Sequence, residues 1–235
     1  MGRVFEKRKH TMFARFDKMA KAFTRIGKDI AIAVKQSGPL PENNPKLRAI
    51  IQNAKGVNMP KDRVEAAIRR ASSKEEKDFQ EVIYEGYAMH GVPIVVECAT
   101  DNPTRTVANI RVHFSKNGGS MGNSGSVLFM FERRGVFKFD QAKLNLDEME
   151  MDLIDAGAED IQREENEIIV YTKFSEFGHM LKFLEAKNKE AKSSELQYIP
   201  VTTKELNEAG QDDVLKCVEA LESDDDVQNV YHNLA

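Results

Sequence analysis

GVFKFDQAKLNLDEMEMDLIDAGAEDIQREENEIIVYTKFSEFGHMLKFLEAKNKEAKSSELQYIPV, residues 135–201, switches repeatedly between two hydrophobic periods. GVFKF (135–139) reads as a strand, and apolar residues at helical spacing follow over 146–156. DIQRE and EIIVYT then form a hairpin about Asn166, a second helix covers 174–187, and LQYIPV (196–201) is a last strand. The order β-α-β-β-α-β is the ferredoxin-like split arrangement.

The flanking sequence carries the two halves of another α/β unit. Upstream, EVIYEGYAM (81–89) and VPIVVECA (92–99) form a hairpin across His90 and Gly91, Asn102-Pro103 opens a helix that runs through Phe114, and SVLFMF (126–131) reads as a strand. Downstream, DDVLKCVEAL is a helix and VQNVYHNL a strand. The expectation is therefore a ferredoxin-like domain, 133–204, inserted into a middle α/β domain made of 78–132 and 205–235.

Residues 1–77 are of a different kind. Phe16, Met19, Ala20, Phe23, Ile26, Ile30 and Val34 step by three or four and mark an amphipathic helix from Phe13 to Val34, with Arg15, Lys18, Lys21, Arg25, Lys28 and Lys35 off that stripe. Gly38-Pro39 stops it. Asn44-Pro45 caps a second helix with Leu47, Ile50, Ile51 and Ala54 on its stripe, and Pro60 opens a third through Val64, Ala67, Ile68 and Ala71. A three-helix domain with the apolar stripe as its core follows, joined to the rest by the polar linker SSKEEKD (72–78). The predicted class is α+β.

The overall charge of −4 conceals a strong asymmetry. Residues 1–74 hold 18 Lys and Arg against 6 Asp and Glu, a net +12, while the remainder holds 16 against 32, a net −16. A cationic helical end calls for a polyanion, because Lys and Arg that neutralise phosphates release condensed counterions. Candidate phosphate contacts are Arg3, Lys7, Arg8, Lys9, Arg15, Lys18, Lys21, Arg25 and Lys28; a merely solvated basic face and an anionic membrane surface are the competing readings. The turn GVNMP between the second and third helices has helix-turn-helix spacing, compatible with duplex DNA and equally with RNA.

Two further segments are candidates. In TDNPTRTVANIR (100–111), Asn102 and Pro103 are explained by capping, while Arg105 and Arg111 lie on successive turns with a phosphate in reach. SKNGGSMGNSGS (115–126) contains Gly118, Gly119, Gly122 and Gly125, which permit positive φ or close backbone approach. It reads either as a plain flexible turn or as a mobile finger that offers backbone amides and Lys116 to RNA or a ribonucleoprotein.

Enzyme chemistry finds little support. His10, His90, His113, His179 and His232 stand singly, without metal-ligand spacing, and neither a phosphate-binding GxxxxGK[ST] loop nor a GxSxG elbow is present. Cys98 and Cys217 sit in apolar patterns and read as small buried hydrophobes of a reducing compartment. The basic opening MGRVFEKRKH has no apolar run behind it, so no secretory signal is expected, and Glu6 stands where myristoylation requires Ser or Thr. No cofactor, metal or small-molecule substrate is called for, and the expected location is the cytoplasm.

NPKLRAIIQNAKGVNMPKDRVEAAIRRA (44–71), IYEGYAMHGVPIVVECATDNPTRTVANIRVHFSKNGGSMGNSGSV (83–127) and MFERRGVF (130–137) closely resemble the YebC/PmpR family, in order and over most of the chain. That resemblance implies a helical N-terminal domain followed by two α/β domains. It also implies a non-catalytic regulator of gene expression, either a DNA-binding transcriptional regulator or a ribosome-associated factor that helps synthesis through difficult stretches such as consecutive prolines. The opening MGRVFEKRKHTMFARFDK departs from the family's usual start while keeping its basic character.

Overall fold

The computed structural model describes residues 3–73 and 78–235, with side chains from Lys18 onward. The expected linker falls largely on 74–77, outside the described residues. The chain divides into two compact units, Met1–Glu76 and Lys77–Ala235, and its class is α+β.

In the first unit, helix α1 runs Arg3–Ser37, α2 Pro45–Gly56 and α3 Lys61–Ala71. Gly38 ends α1 in the left-handed region, φ 85°, donating its amide to the Val34 carbonyl at 2.8 Å. Asn44 then locks the corner. Fully buried, it donates its side-chain amide to the carbonyls of Ala33 (2.8 Å) and Gly38 (2.9 Å), while its oxygen caps α2 at the Leu47 N–H, 3.0 Å away. α1 packs on α2 and α3, and the buried side chains are Ile26, Ile30 and Val34 with Leu47, Ile50, Ala54 and Val64.

The second unit holds two four-stranded sheets. Strands β1 (Gln80–Tyr87), β2 (Pro93–Thr100), β3 (Ser120–Met121) and β8 (Val227–His232) form the first, in the order β3-β1-β2-β8. Helices α4 (Pro103–Lys116) and α7 (Glu208–Glu222) cover one face. Ile94, Val96 and Cys98 of β2 meet Ile110 and Phe114 of α4 and Val214, Cys217 and Leu221 of α7. Both thiols are buried core groups, and burial pushes that of Cys217 up to about 11.

Between β3 and α7 the chain completes β4 (Phe131–Asp140), α5 (Leu146–Asp155), β5 (Ala158–Arg163), β6 (Glu167–Lys173), α6 (Phe177–Ala186) and β7 (Ser193–Pro200). These strands pair antiparallel in the order β5-β6-β4-β7, the ferredoxin-like order. Phe137, Phe139, Ile168 and Val170 fill the space under Leu146, Met149 and Leu153 of α5 and Met180 and Leu184 of α6. Val95, Val127, Phe131 and Tyr198 knit the two sheets together, with the Tyr198 and Tyr231 rings edge-on at 5.5 Å.

The structure departs from the sequence reading at 126–131. A 3-10 turn, Leu128–Met130, stands where a strand was expected, and β4 begins only at Phe131. The physical reason is a competitor for the backbone: the Glu85 carboxylate takes the amides of Gly125, Val127 and Leu128.

Candidate nucleic-acid interface

At about 1.5 Å per residue, α1 spans about 52 Å and α2 or α3 no more than about 18 Å. The two short helices therefore cover only part of α1. Described burial agrees: Ile26 and Ile30 are buried, Phe23 is half-buried, but Ala20 is exposed and Met19 is 38% exposed. Of the described residues of the apolar stripe expected to form the bundle core, Ile26, Ile30 and Val34 are buried while Met19 and Ala20 are not. Lys18 and Lys21 are exposed on the uncovered stretch, and Arg25 and Lys28 are half-buried nearer the bundle. The Arg63 guanidinium of α3 lies 5.7 Å from the centre of the Phe23 ring, where cation and ring attract. Arg3, Lys7, Arg8, Lys9 and Arg15 fall on the opening turns of α1, and their side chains lie outside the described residues.

In the second unit, α4 begins at an Asn102 cap whose side chain accepts the Arg105 amide at 3.1 Å. The segment TDNPTRT is held by a carboxylate far along the chain. Asp226, 5% exposed, accepts the Arg105 guanidinium at 2.7 Å and the hydroxyls of Thr106 and Thr100 at 2.8 and 3.2 Å. Asp101 holds the same guanidinium at 3.0 Å. Arg105 is thus matched to two carboxylates while its side chain stays 47% exposed. Arg111 and Lys116 are exposed, but six positions on a helix turn Arg111 well away from Arg105, so the two do not share a face.

The glycine-rich segment is fastened rather than loose. Gly118 ends α4 with φ +71°, and the Gly119 amide returns to the Phe114 carbonyl at 2.9 Å, the double-bonded helix stop that favours glycine. A Cβ on Gly119 would stand 2.6 Å from the Tyr87 carbonyl oxygen, so close approach to β1 also requires glycine. Ser120 and Met121 pair with β1, and the Gly122 amide donates to the Glu85 carbonyl at 2.8 Å. The Glu85 carboxylate, 3% exposed, then accepts Gly125 N–H at 2.6 Å and those of Val127 and Leu128 at 2.8 Å. Burial pushes this carboxyl upward, but bonds from the Val127, Gly125 and Leu128 amides outweigh it and hold Glu85 below the usual carboxylate range. Tyr87 adds its hydroxyl to the Ser126 carbonyl at 3.2 Å.

The sequence reading missed Glu85, Asp226 and Phe129. The two carboxylates resemble any other acid in sequence, because their partners lie 40 and 121 positions away. Phe129, expected inside a strand, is 71% exposed on the turn that Glu85 anchors. Among the described residues no group of His, Cys, Asp or Glu is arranged to hold a metal ion, and no helix is long and apolar enough to cross a membrane.

Known proteins share this architecture. The crystal structure of a conserved hypothetical protein from Aquifex aeolicus superposes with a TM-score of 0.82 at 37% identity, covering 92% of this chain and 90% of that one. A protein of Anaeromyxobacter dehalogenans (strain 2CP-C), described as a probable transcriptional regulatory protein, is 53% identical over 240 residues and the full length of both chains. One from Cytophaga hutchinsonii with the same description is 53% identical over all of this chain and 99% of its own. Family models described as the TACO1/YebC protein N-terminal domain and the TACO1/YebC second and third domain match residues 3–74 and 79–234. With the helical unit and the paired sheets both matched, the chain belongs to the TACO1/YebC family.

Proposed function

We propose that this protein is a nucleic-acid-binding regulator of gene expression, a DNA-binding transcriptional regulator in its leading form, acting in the cytoplasm by binding rather than turnover. The observation that carries this reading is the exposed, cationic stretch of α1 around Lys18 and Lys21, in a half-chain of net +12 attached to a body of net −16. Such a unit attracts phosphates while the acidic remainder of the chain is repelled by them, so the contact is made through the helical unit. The description of the Anaeromyxobacter and Cytophaga relatives as probable transcriptional regulatory proteins agrees with it.

The fastened glycine-rich loop favours a second reading, a ribosome-associated translation factor. A rigid loop with exposed Lys116 at its root and exposed Asn123 and Ser124 at its tip meets a partner at little entropic cost, which suits an irregular RNA surface. Competition between a duplex DNA and ribosomal RNA for the same sample, with nuclease-controlled ribosome sedimentation alongside, separates the two. Tight, site-dependent duplex binding without sedimentation supports the transcriptional form, and nuclease-sensitive sedimentation supports the translational one. Binding to neither overturns both.

A further inference from the structure

Phe129 is 71% exposed, yet its turn is immobilised on both sides. Leu128 N–H is held by Glu85 at 2.8 Å, the Met130 amide returns to the Val127 carbonyl at 2.9 Å, and the Val201 amide binds the Met130 carbonyl at 2.9 Å. Val201 is itself 59% exposed. A large aromatic ring kept in water on a rigid support loses little freedom when it meets a flat partner.

The charge of the sequence that carries it points to the partner. Residues 105–134 contain Arg105, Arg111, Lys116, Arg133 and Arg134 against Glu132 alone, a net +4 inside a body of net −16. Arg105, though exposed, is paired with Asp226 and Asp101, and Arg111, Lys116 and Arg133 are exposed as well. The Arg133 guanidinium lies 5.1 Å from the centre of the Phe174 ring and 5.7 Å from that of Tyr198, an arrangement that steadies a cation on aromatic faces and leaves its N–H edge for an anion. An apolar protein partner would be poorly matched by a single ring in a segment this rich in cations. A nucleotide has both halves of the complement, a π-face and a phosphate.

We propose that Phe129 stacks on an unpaired nucleobase while Arg133 and Lys116 engage the flanking phosphates, making the segment from Lys116 to Arg134 a contact for single-stranded nucleic acid, separate from the α1 contact. The proposal rests on the nucleic-acid reading above and narrows it, since paired bases in a duplex have their faces covered by one another and leave none for the ring.

The chain contains no tryptophan, so Phe129→Trp places one fluorescent indole at the site. Oligouridylate and oligothymidylate serve as single-stranded RNA and DNA probes, and a closed hairpin duplex as control, all in the full chain at low salt. Both single strands are expected to quench the indole and the hairpin is not; a response to oligouridylate alone assigns the contact to RNA. Phe129→Ala is expected to weaken single-strand affinity about tenfold and leave hairpin affinity unchanged. Single strands that bind by anisotropy without altering indole emission overturn the proposal while leaving the α1 reading intact. Loss of ribosome co-sedimentation in Phe129→Ala, with oligonucleotide binding unchanged, also overturns it and assigns the ring to a protein. Absence of any nucleic-acid binding removes both readings.

Discussion

Glu85 Oε1 accepts the Gly125 N–H at 2.6 Å across 40 positions of sequence, and Oε2 of the same carboxylate accepts those of Val127 and Leu128. One buried anion therefore sets the path of the chain between the first sheet and β4. Glu85→Ala removes the acceptor of three amides and is expected to cost about 3 kcal/mol in urea unfolding. Hydrogen exchange of residues 123–129 should accelerate in the same variant. Unchanged exchange there would mean the loop is held by other means.

Acid should loosen the same segment late. The folded Glu85 carboxyl lies below its unfolded range, so its contribution is complete above the unfolded pKa and lost only as pH falls through the depressed folded value. Exchange or NMR shifts of Gly125, Val127 and Leu128 amides should stay constant through the ordinary carboxylate range and change below it. A transition centred within that range contradicts the amide cage.

Gly119→Val is expected to destabilise the fold by about 3 kcal/mol, measured as a lowered thermal or urea midpoint, since its Cβ would stand 2.6 Å from the Tyr87 carbonyl oxygen. A mobile finger would lose function with its stability unchanged; a fastened segment loses stability as well.

Asp226→Ala leaves the Thr100 and Thr106 hydroxyls and the Arg105 guanidinium without their shared acceptor, and a loss of about 3 kcal/mol is expected in chemical unfolding. Arg105→Gln should leave nucleic-acid affinity unchanged, because that guanidinium is already occupied. A marked affinity loss in a folded Arg105→Gln protein would return it to the interface.

If about five phosphates are neutralised by the whole chain, the logarithm of the binding constant should fall with log salt at a slope of about −4 to −5. Lys18→Glu combined with Lys21→Glu should make that slope shallower by about two and weaken low-salt binding sharply, with helicity by circular dichroism preserved. A flat titration of the parent chain would exclude phosphate neutralisation altogether.

Local sequence determined most of the elements and their class. Hydrophobic period, Asn44, Asn102 and Gly38 act over a few residues, so β1, β2, α4 and the whole β4–β7 segment could be read within a few positions. Charge is additive along the chain, and the cationic head was visible for the same reason. Tertiary structure alone decided which charges are matched and which apolar groups are left in water. Glu85 and Asp226 became anchors through partners remote in sequence, the exposed Arg105 was paired with two carboxylates, and Met19 and Ala20 of the α1 stripe stayed exposed because α2 and α3 are too short to cover the whole helix. Burial and pairing depend on where distant segments meet in space, and Phe129, apolar in a strand-like run, shows its exposure only once the turn that carries it is in place.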